Sequence, residues 1–342
     1  MNRRHYLTLT TGGLLAGMTR ARAGEIAPAR QFMDAHKAPG LSYAIAKDGK
    51  ILKQEALGFA NLETRETLSP YHRFRIASVS KPITASAIFL LIEQGKLTLD
   101  SPVFGKEGFI DGPGHSEITI QHLLNHTSGG WTNNRRDPMF QKNSLNHTEL
   151  IAWTLANIPP DHKPGEAYAY SNFGYCLLGR VIEKISGLTY ENFVHQNVLA
   201  LCGAEGMTVG QGLREVNYYT HGKPDTYKMN VPRMDSHGGW VGTPGEMLAF
   251  ALHVDGFAQP ADFLKEESLK SMTAPGIVNE GYACGWNVNK HGNYWHSGSL
   301  PGLTSLLVRT RGGYCWAACV NTRGDGLGSA LDQLMWQIAK SH

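Results

Sequence analysis

The chain has 342 residues, of which 42% are hydrophobic and 18% charged, and its 32 basic and 29 acidic residues give a net charge of +3. This composition can bury a large core and excludes a disordered chain, and no window offers the roughly 20 uninterrupted apolar residues of a membrane span. Since Lys and Arg never cluster beyond pairs, we expect no nucleic-acid partner.

Residues 1–23 have the features of an export leader. Arg3 and Arg4 precede a short, weakly apolar stretch, and Ala21-Arg22-Ala23 is a small-x-small cleavage signal. The arginine pair resembles a twin-arginine signal, which exports folded proteins, with general secretion as the alternative route. We expect a periplasmic or secreted protein without a stable membrane anchor. All four charged residues of the leader are arginines, so 28 basic and 29 acidic residues remain from Gly24 onward.

The order of the hydrophobic patterns predicts an α+β fold. The predicted helices lie at 25–36, 83–94, 149–156 and 173–185, with a last one that starts at Leu327. The predicted strands lie at 41–47, 51–61, 282–288, 293–297, 304–309 and 314–321. The pair Asp48-Gly49 predicts a hairpin between the first two strands. We expect an antiparallel sheet flanked by the terminal helices, formed by residues 24–99 and 236–342, and an inserted helical domain at 100–235.

Three short motifs contain residue types used in nucleophilic catalysis, but each is common by chance. Ser78 and Lys81 form a Ser-x-x-Lys sequence. Tyr-x-Asn occurs at Tyr170 and Tyr190, and His-x-Gly occurs at His237 and His296. Only the surrounding sequence separates a catalytic copy from a structural one.

The context of Ser78 is chemically specific. It precedes a helix that is apolar on nearly all sides, and the i, i+3 spacing places the Lys81 amine on the same face. A serine nucleophile needs an adjacent base, and burial lowers the pKa of a lysine enough to serve. The alternative is an N-cap serine beside a solvated lysine.

Longer segments carry these motifs in a fixed order. They are Phe74–Lys81 (FRIASVSK), Ile118–Gly129 (ITIQHLLNHTSG), Pro164–Tyr175 (PGEAYAYSNFGY), Gly238–Met247 (GGWVGTPGEM) and His296–Gly302 (HSGSLPG). Together they resemble the serine β-lactamase and penicillin-recognising hydrolase family. The similarity is greatest to class C β-lactamases, soluble DD-peptidases, D-amino-acid peptidases and related esterases. The resemblance implies a β-lactamase/transpeptidase-like fold with the active site between the two domains.

The resemblance also assigns roles to individual residues. It implies that Ser78 is the nucleophile, that Lys81 and Tyr170 share the acid–base work, and that His296 belongs to the third motif. It implies that the backbone N–H groups of Ser78 and Ser299 form an oxyanion hole. The implied substrate-binding residues are Asn172, Ser297, Gly298 and Ser299. Tyr190 begins a capped helix and His237 precedes a glycine turn, so we expect neither to be catalytic.

His296 stands where lactamases carry a lysine. Histidine titrates near 6.5, whereas a lysine is cationic at all working pH values. Tyrosine titrates near 10, so Tyr170 needs a nearby cation, Lys81 or protonated His296, to act as a phenolate near pH 7.

These residues predict a serine hydrolase that cleaves amide bonds of D-amino-acid peptides or D-Ala-D-Ala-like substrates. The alternatives are a β-lactamase, a short-chain carboxylesterase and, less expected, a non-catalytic penicillin-binding module. We expect a small-molecule or peptide substrate, with β-lactams as possible ligands, and leave the oligomeric state open. No cofactor is implied. His122 and His126 have i, i+4 spacing but lack a third ligand pattern, so we expect no metal.

The five cysteines do not form a disulfide framework, and their odd number leaves one thiol unpaired within the chain. Cys176 is predicted to be a core thiol. Cys315 and Cys319 share a strand face about 13 Å apart, too far to bridge. Pairing with Cys202 or Cys284 stays open.

Overall fold

The computed structural model describes residues 26–112, 114–134, 137–220, 222–225 and 229–341. The predicted leader, residues 1–23, lies outside the described residues. Within them, none of the helices combines the length and the apolar character needed to cross a membrane.

A seven-stranded sheet organises the chain, with two small three-stranded sheets beside it. The strands are β1 (Gly40–Lys47), β2 (Lys50–Asn61), β3 (Glu66–Thr67), β4 (Phe74–Arg75), β5 (Thr208–Val209), β6 (Tyr219–Thr220), β7 (Lys223–Pro224), β8 (Trp240–Gly242), β9 (Asn287–Val288), β10 (Tyr294–Leu300), β11 (Leu303–Arg309), β12 (Tyr314–Val320) and β13 (Thr322–Arg323). The order in the large sheet is β3-β2-β1-β12-β11-β10-β9, and all of its neighbouring strands are antiparallel. The predicted α+β class is confirmed.

The helices come from both ends of the chain and from the segment between the sheet strands. They are α1 (26–36), α2 (Ser80–Glu93), α3 (Ile120–Leu124), α4 (Pro138–Gln141), α5 (His147–Asn157), α6 (Asn172–Ser186), α7 (Tyr190–Val194), α8 (Asp235–Gly238), α9 (Pro244–Leu252), α10 (Glu266–Thr273) and α11 (Leu327–Ala339). Short 3-10 turns occupy Ala77–Val79, Ala200–Cys202 and Pro232–Met234, and a π turn occupies His195–Leu199.

The two faces of the large sheet bury different cores. On one face, residues of β1 and β12 such as Tyr43 and Trp316 pack with Leu331 and Met335 of α11 and with Phe32 of α1. On the other face the core continues through α9, α2 and α6. Helix α2 is buried on nearly all sides because its sequence is apolar on nearly all sides. Strand β10 of this sheet contacts the turn that precedes α2.

Most predicted elements are confirmed within a few residues. Lys47 pairs with Lys50, so Asp48-Gly49 is the two-residue hairpin turn that the sequence predicts. The predicted strand at 282–288 is wrong, because only Asn287–Val288 is a strand and Tyr282 makes an isolated bridge. Gly285 has a φ of +80°, and a Cβ there would lie 2.8 Å from that of Ala85. The chain turns at this point to pass close to α2.

Candidate active site

Ser78 lies in a tight turn directly before α2. Ala77 has a φ of +49°, a conformation that non-glycine residues rarely adopt and that is held only where surrounding contacts enforce it. Those contacts join the preceding residue to two other elements. The Ile76 N–H donates to the Trp240 carbonyl at 2.9 Å, and the Ser305 hydroxyl donates to the Ile76 carbonyl at 2.7 Å. The turn thus fixes Ser78 between β8 and the β10–β11 pair.

The amine of Lys81 is fully buried beside the serine. Its Nζ lies 3.2 Å from Ser78 Oγ, 2.9 Å from Asn172 Oδ1 and 2.8 Å from the His237 carbonyl oxygen. Burial lowers the pKa of Lys81 to about 7. The amide and carbonyl oxygens only accept hydrogen bonds, so they take the two N–H groups of a neutral amine. The remaining lone pair then faces the Ser78 hydroxyl, which is the arrangement a general base requires.

Asn172 connects Lys81 to a buried carboxylate. It is the first residue of α6, which begins where the Ser171 hydroxyl caps the Gly174 N–H. Its Nδ2 donates to Asp137 Oδ2 at 2.8 Å, while its Oδ1 accepts from Lys81. Burial raises the pKa of Asp137 to about 6, and its carboxylate in turn raises the pKa of Lys81. The orientation of the Asn172 amide is therefore set by an amine on one side and a carboxyl group on the other.

The Tyr170 side chain also reaches the serine. Its hydroxyl is hydrogen-bonded to Ser78, and the Lys81 Nζ lies 4.8 Å from its ring centre. Burial nevertheless raises the pKa of Tyr170, because it disfavours the phenolate. Tyr170 is therefore a neutral phenol at pH 7, and not the phenolate that a nearby cation would stabilise.

His296 is buried on β10, and its ring centre lies 6.3 Å from that of Tyr170. Its Nδ1 lies 2.8 Å from the Ser297 carbonyl oxygen, and its Nε2 lies 3.1 Å from the Tyr282 hydroxyl. Burial, together with the charge of Lys81, lowers the pKa of His296 to about 3. The alternative cation for a Tyr170 phenolate, protonated His296, is thus absent at neutral pH.

A cavity of about 360 Å³ opens onto Ser78. It is lined by Ala77, Ser78, Asn133, Phe140, Asn172, Met229, Met234, His237, Gly238, Ser299, Leu300, Pro301 and Arg323. Ser299 thus faces the same space as the nucleophile. Ser297 is exposed on the same strand but does not line this cavity.

Gly298 contributes space between β10 and the turn before α2. A Cβ at this position would overlap the Ser305 hydroxyl and the Ile76 carbonyl, and would lie 3.0 Å from the Ala77 Cβ. Only glycine lets β10 approach this turn closely enough for Ser299 and Ser78 to line one cavity.

Four groups of the site are not assigned to it by the sequence. The predicted site residues Asn172, Lys81, Tyr170 and His296 are contacted by Asp137, the His237 carbonyl, His126 and Tyr282, respectively. The Asp-Pro pair at 137–138 is a helix-start signal that could have drawn attention to Asp137. Tyr282 lay in a wrongly predicted strand.

Neither the second Tyr-x-Asn motif nor the pair of His122 and His126 forms a further site in the described part of the chain. Tyr190 begins α7 after the Thr189 cap, as predicted, and its buried hydroxyl contacts Thr84 and Trp240. His126 lies beyond the end of α3 with a φ of +59°, so it shares no helix face with His122. In the described part of the chain, no three side chains of metal-ligating type are grouped to hold an ion.

The chain is similar to known proteins over most of its length. A family model described as Beta-lactamase matches residues 28–340. Penicillin-binding protein 4* of Bacillus subtilis (strain 168) is 29% identical over 293 residues, which cover 77% of this chain and 64% of that protein. The chain spans less than two thirds of the length of the curated relatives that it matches first.

Solved structures share the fold over almost the whole chain. The penicillin-binding protein from Bacillus halodurans has a TM-score of 0.74 at 26% identity, with 92% of this chain and 98% of that chain covered. The D-amino acid amidase from Ochrobactrum anthropi SV3 has a TM-score of 0.79 at 24% identity, with 93% and 99% covered. The β-lactamase/transpeptidase-like fold implied by the sequence is confirmed.

Proposed function

The chain belongs to the β-lactamase family, and we propose that it is a serine hydrolase that forms an acyl-enzyme on Ser78 and cleaves amide bonds of D-amino-acid peptides of the D-Ala-D-Ala type. The observation that carries this proposal is the hydrogen bond between the buried Lys81 amine and the Ser78 hydroxyl, beside an open cavity. A lysine with a pKa of about 7 is a competent base at neutral pH.

In the proposed reaction the proton of Ser78 moves to Lys81 Nζ while Oγ bonds to the substrate carbonyl carbon. The oxyanion so formed is stabilised by the backbone N–H groups of Ser78 and Ser299. The proton then passes from Lys81, through the Tyr170 hydroxyl, to the leaving nitrogen as the C–N bond breaks. In the second half, a water molecule gives its proton to Lys81 and attacks the ester, and Ser78 recovers its proton as it leaves.

The charge of the cavity favours substrates with a free carboxylate. Arg323 is the only residue of the described lining that is charged at neutral pH, and no described acidic side chain pairs with it. An α-ammonium group finds no carboxylate in this lining, whereas a terminal carboxylate would meet Arg323 and the Ser299 hydroxyl. D-peptides with a free carboxyl terminus and β-lactams have that carboxylate. Two of the relatives, at 29% and 26% identity, are named penicillin-binding proteins.

Intact-mass spectrometry after addition of benzylpenicillin, followed over time, tests the proposal. A stable adduct that is absent from Ser78→Ala supports a peptidase-like site. An adduct that disappears with the same dependence on Ser78 indicates a β-lactamase. Absence of an adduct, together with turnover of short p-nitrophenyl esters, would replace the peptidase by an esterase.

A second variant tests the proposed carboxylate contact. Arg323→Ala is expected to slow acylation by benzylpenicillin about tenfold, as for the loss of one charge-assisted hydrogen bond, while leaving hydrolysis of an uncharged p-nitrophenyl ester unchanged. Arg30→Ala, which removes an exposed arginine on α1, is the matched control. Equal losses on both substrates would contradict a contact with the carboxylate.

A further inference from the structure

A chain of hydrogen bonds runs behind the reactive serine through His126, Tyr282 and His296. We infer that Tyr282 and His126 are positioning residues that hold His296 neutral, with its proton on Nδ1, during the reaction. This inference rests on the proposed function, since it assigns roles within the same site.

The direction of each hydrogen bond between these side chains follows from the two backbone groups at the ends of the series, the Ser171 N–H and the Ser297 carbonyl. The Ser171 N–H can only donate, so His126 Nδ1, at 3.1 Å, accepts and carries no proton. In a neutral ring the proton is then on His126 Nε2, which donates to the Tyr282 oxygen at 3.1 Å. The Tyr282 hydroxyl in turn donates to His296 Nε2 at 3.1 Å.

The other end of these hydrogen bonds, at His296, independently requires the same proton positions. The Ser297 carbonyl can only accept, so the proton of His296 is on Nδ1, 2.8 Å away. That leaves Nε2 without a proton, as the donation from Tyr282 demands. One arrangement of protons therefore satisfies these three buried side chains. The Tyr282 hydroxyl is also hydrogen-bonded to Tyr175, whose own proton goes to the Leu124 carbonyl at 2.9 Å, and the imidazole nitrogen of His296 is the stronger acceptor for the Tyr282 proton.

The surroundings favour the neutral form of both histidines. Burial lowers the pKa of each, and the charged group that acts on both is Lys81 of α2. The other titratable groups packed around them are the phenols Tyr168, Tyr170 and Tyr175, and burial raises the pKa of all three.

The consequence concerns the shape of the binding strand. Because His296 Nδ1 is bonded to the Ser297 carbonyl, it holds the backbone of β10 two residues before Ser299. A neutral His296 whose Nε2 accepts from Tyr282 has no proton to give to Tyr170. His296 thus fixes the strand that binds substrate, and Lys81 is left as the base.

Nuclear magnetic resonance of the histidine ring nitrogens in the unliganded protein tests the inference. In the wild type we expect His296 to be neutral with its proton on Nδ1 throughout pH 5–8. In Tyr282→Phe we expect the proton to stay on Nδ1, which the Ser297 carbonyl holds, but the Nε2 resonance to move to that of an unprotonated nitrogen without a hydrogen bond, and acylation by benzylpenicillin to slow about tenfold. Tyr168→Phe, which removes a hydroxyl from the same aromatic cluster but outside the chain of hydrogen bonds, should leave both unchanged.

The inference is overturned if wild-type His296 titrates between pH 5 and 8 or carries its proton on Nε2. It is also overturned if folded Tyr282→Phe acylates at the wild-type rate. The wild-type spectrum decides the proton positions even where a variant fails to fold. Because that spectrum needs no substrate, a protein that acylates on no substrate yet shows the expected tautomer would refute the proposed function and not the hydrogen-bond chain.

Discussion

Lys81 and Tyr170 both contact the Ser78 hydroxyl, and burial acts on them in opposite directions. It lowers the pKa of the amine to about 7 and raises the pKa of the phenol, because in each case it disfavours the charged form. The resting site therefore contains an amine that is partly neutral and a phenol that keeps its proton. Of the two, only the amine is a base near pH 7. The proposed role of Tyr170 is therefore to relay the proton from Lys81 to the leaving nitrogen.

The two Tyr-x-Asn tyrosines are expected to behave differently when their hydroxyls are removed. Tyr170→Phe should slow acylation by benzylpenicillin at least 100-fold, since it removes a proton donor beside Ser78, with little change in melting temperature. Tyr190→Phe should keep the acylation rate but destabilise the fold by about 1–3 kcal/mol, because Thr84 and the Trp240 N–H lose a buried partner. Acylation rates and thermal melts of both variants check this, and the reverse pattern would contradict the assignment.

Asp137→Asn should shift the pH profile of acylation towards acid. The Asp137 carboxylate favours the ammonium form and so raises the pKa of Lys81. Without it the pKa of Lys81 falls below about 7, and the rise of the rate with pH moves down by up to about one pH unit. Measured between pH 5.5 and 8, the variant should therefore retain a larger fraction of its maximal rate at the acid end.

The control for this shift is Asp161→Asn, which neutralises an exposed carboxylate that is not among the groups acting on the pKa of Lys81. Its profile should coincide with that of the wild type. A profile of Asp137→Asn that stays in place or moves towards alkaline pH would show that Lys81 is not the titrating base.

Among the elements, β10 and the turn before α2 determine the geometry of the oxyanion hole. Gly298→Ala should slow acylation about 100-fold, because a Cβ would push β10 away from Ala77 and separate the N–H groups of Ser78 and Ser299. Gly328→Ala in α11, where a Cβ meets open space, is the matched control and should not destabilise the fold. Acylation kinetics report the loss of the oxyanion hole, and the melting temperature reports any destabilisation of the fold. Wild-type kinetics in a folded Gly298→Ala would refute the role of this close approach.

Elements with local signals were predictable from the sequence. The hairpin at Asp48-Gly49 and the apolar helix α2 depend on residues that are neighbours along the chain, and both are confirmed. The same holds for Ser78 and Lys81, which are three residues apart and meet at 3.2 Å.

Contacts made across the fold were not predictable in this way. Asp137 reaches Lys81 only through Asn172, and Tyr282 reaches His296 from a turn that resembles a strand in sequence. The low pKa of His296 depends on burial and on Lys81, which no local pattern of residues reports. Tertiary packing therefore supplies the electrostatics of the site, and the local sequence supplies its reactive pair.

The five cysteines bear on the proposed route of export. All five are free and buried, and burial raises the pKa of Cys176, Cys202 and Cys284 to about 12. A thiol reacts as its thiolate, so the folded chain protects its cysteines in an oxidising compartment. An unfolded chain would expose all five at once, and any disulfide formed between them would be non-native, because all five are free in the folded chain. Export in the folded state, as a twin-arginine signal provides, suits this chain better than export unfolded.

We therefore expect the route of export to determine the redox state of the protein. Exported to the periplasm on the predicted leader, the chain should be cut before Gly24 and show five free thiols when denatured and titrated. The double variant Arg3→Lys and Arg4→Lys should retain the protein in the cytoplasm. The control Arg20→Lys and Arg22→Lys, which leaves the Arg3-Arg4 pair intact, should not.

Fused instead to a general-secretion leader, the same chain should lose free thiols to non-native disulfides, because its cysteines cross the membrane unfolded into an oxidising compartment. Five free thiols by both routes would show that folding outpaces oxidation and would remove this argument for folded export.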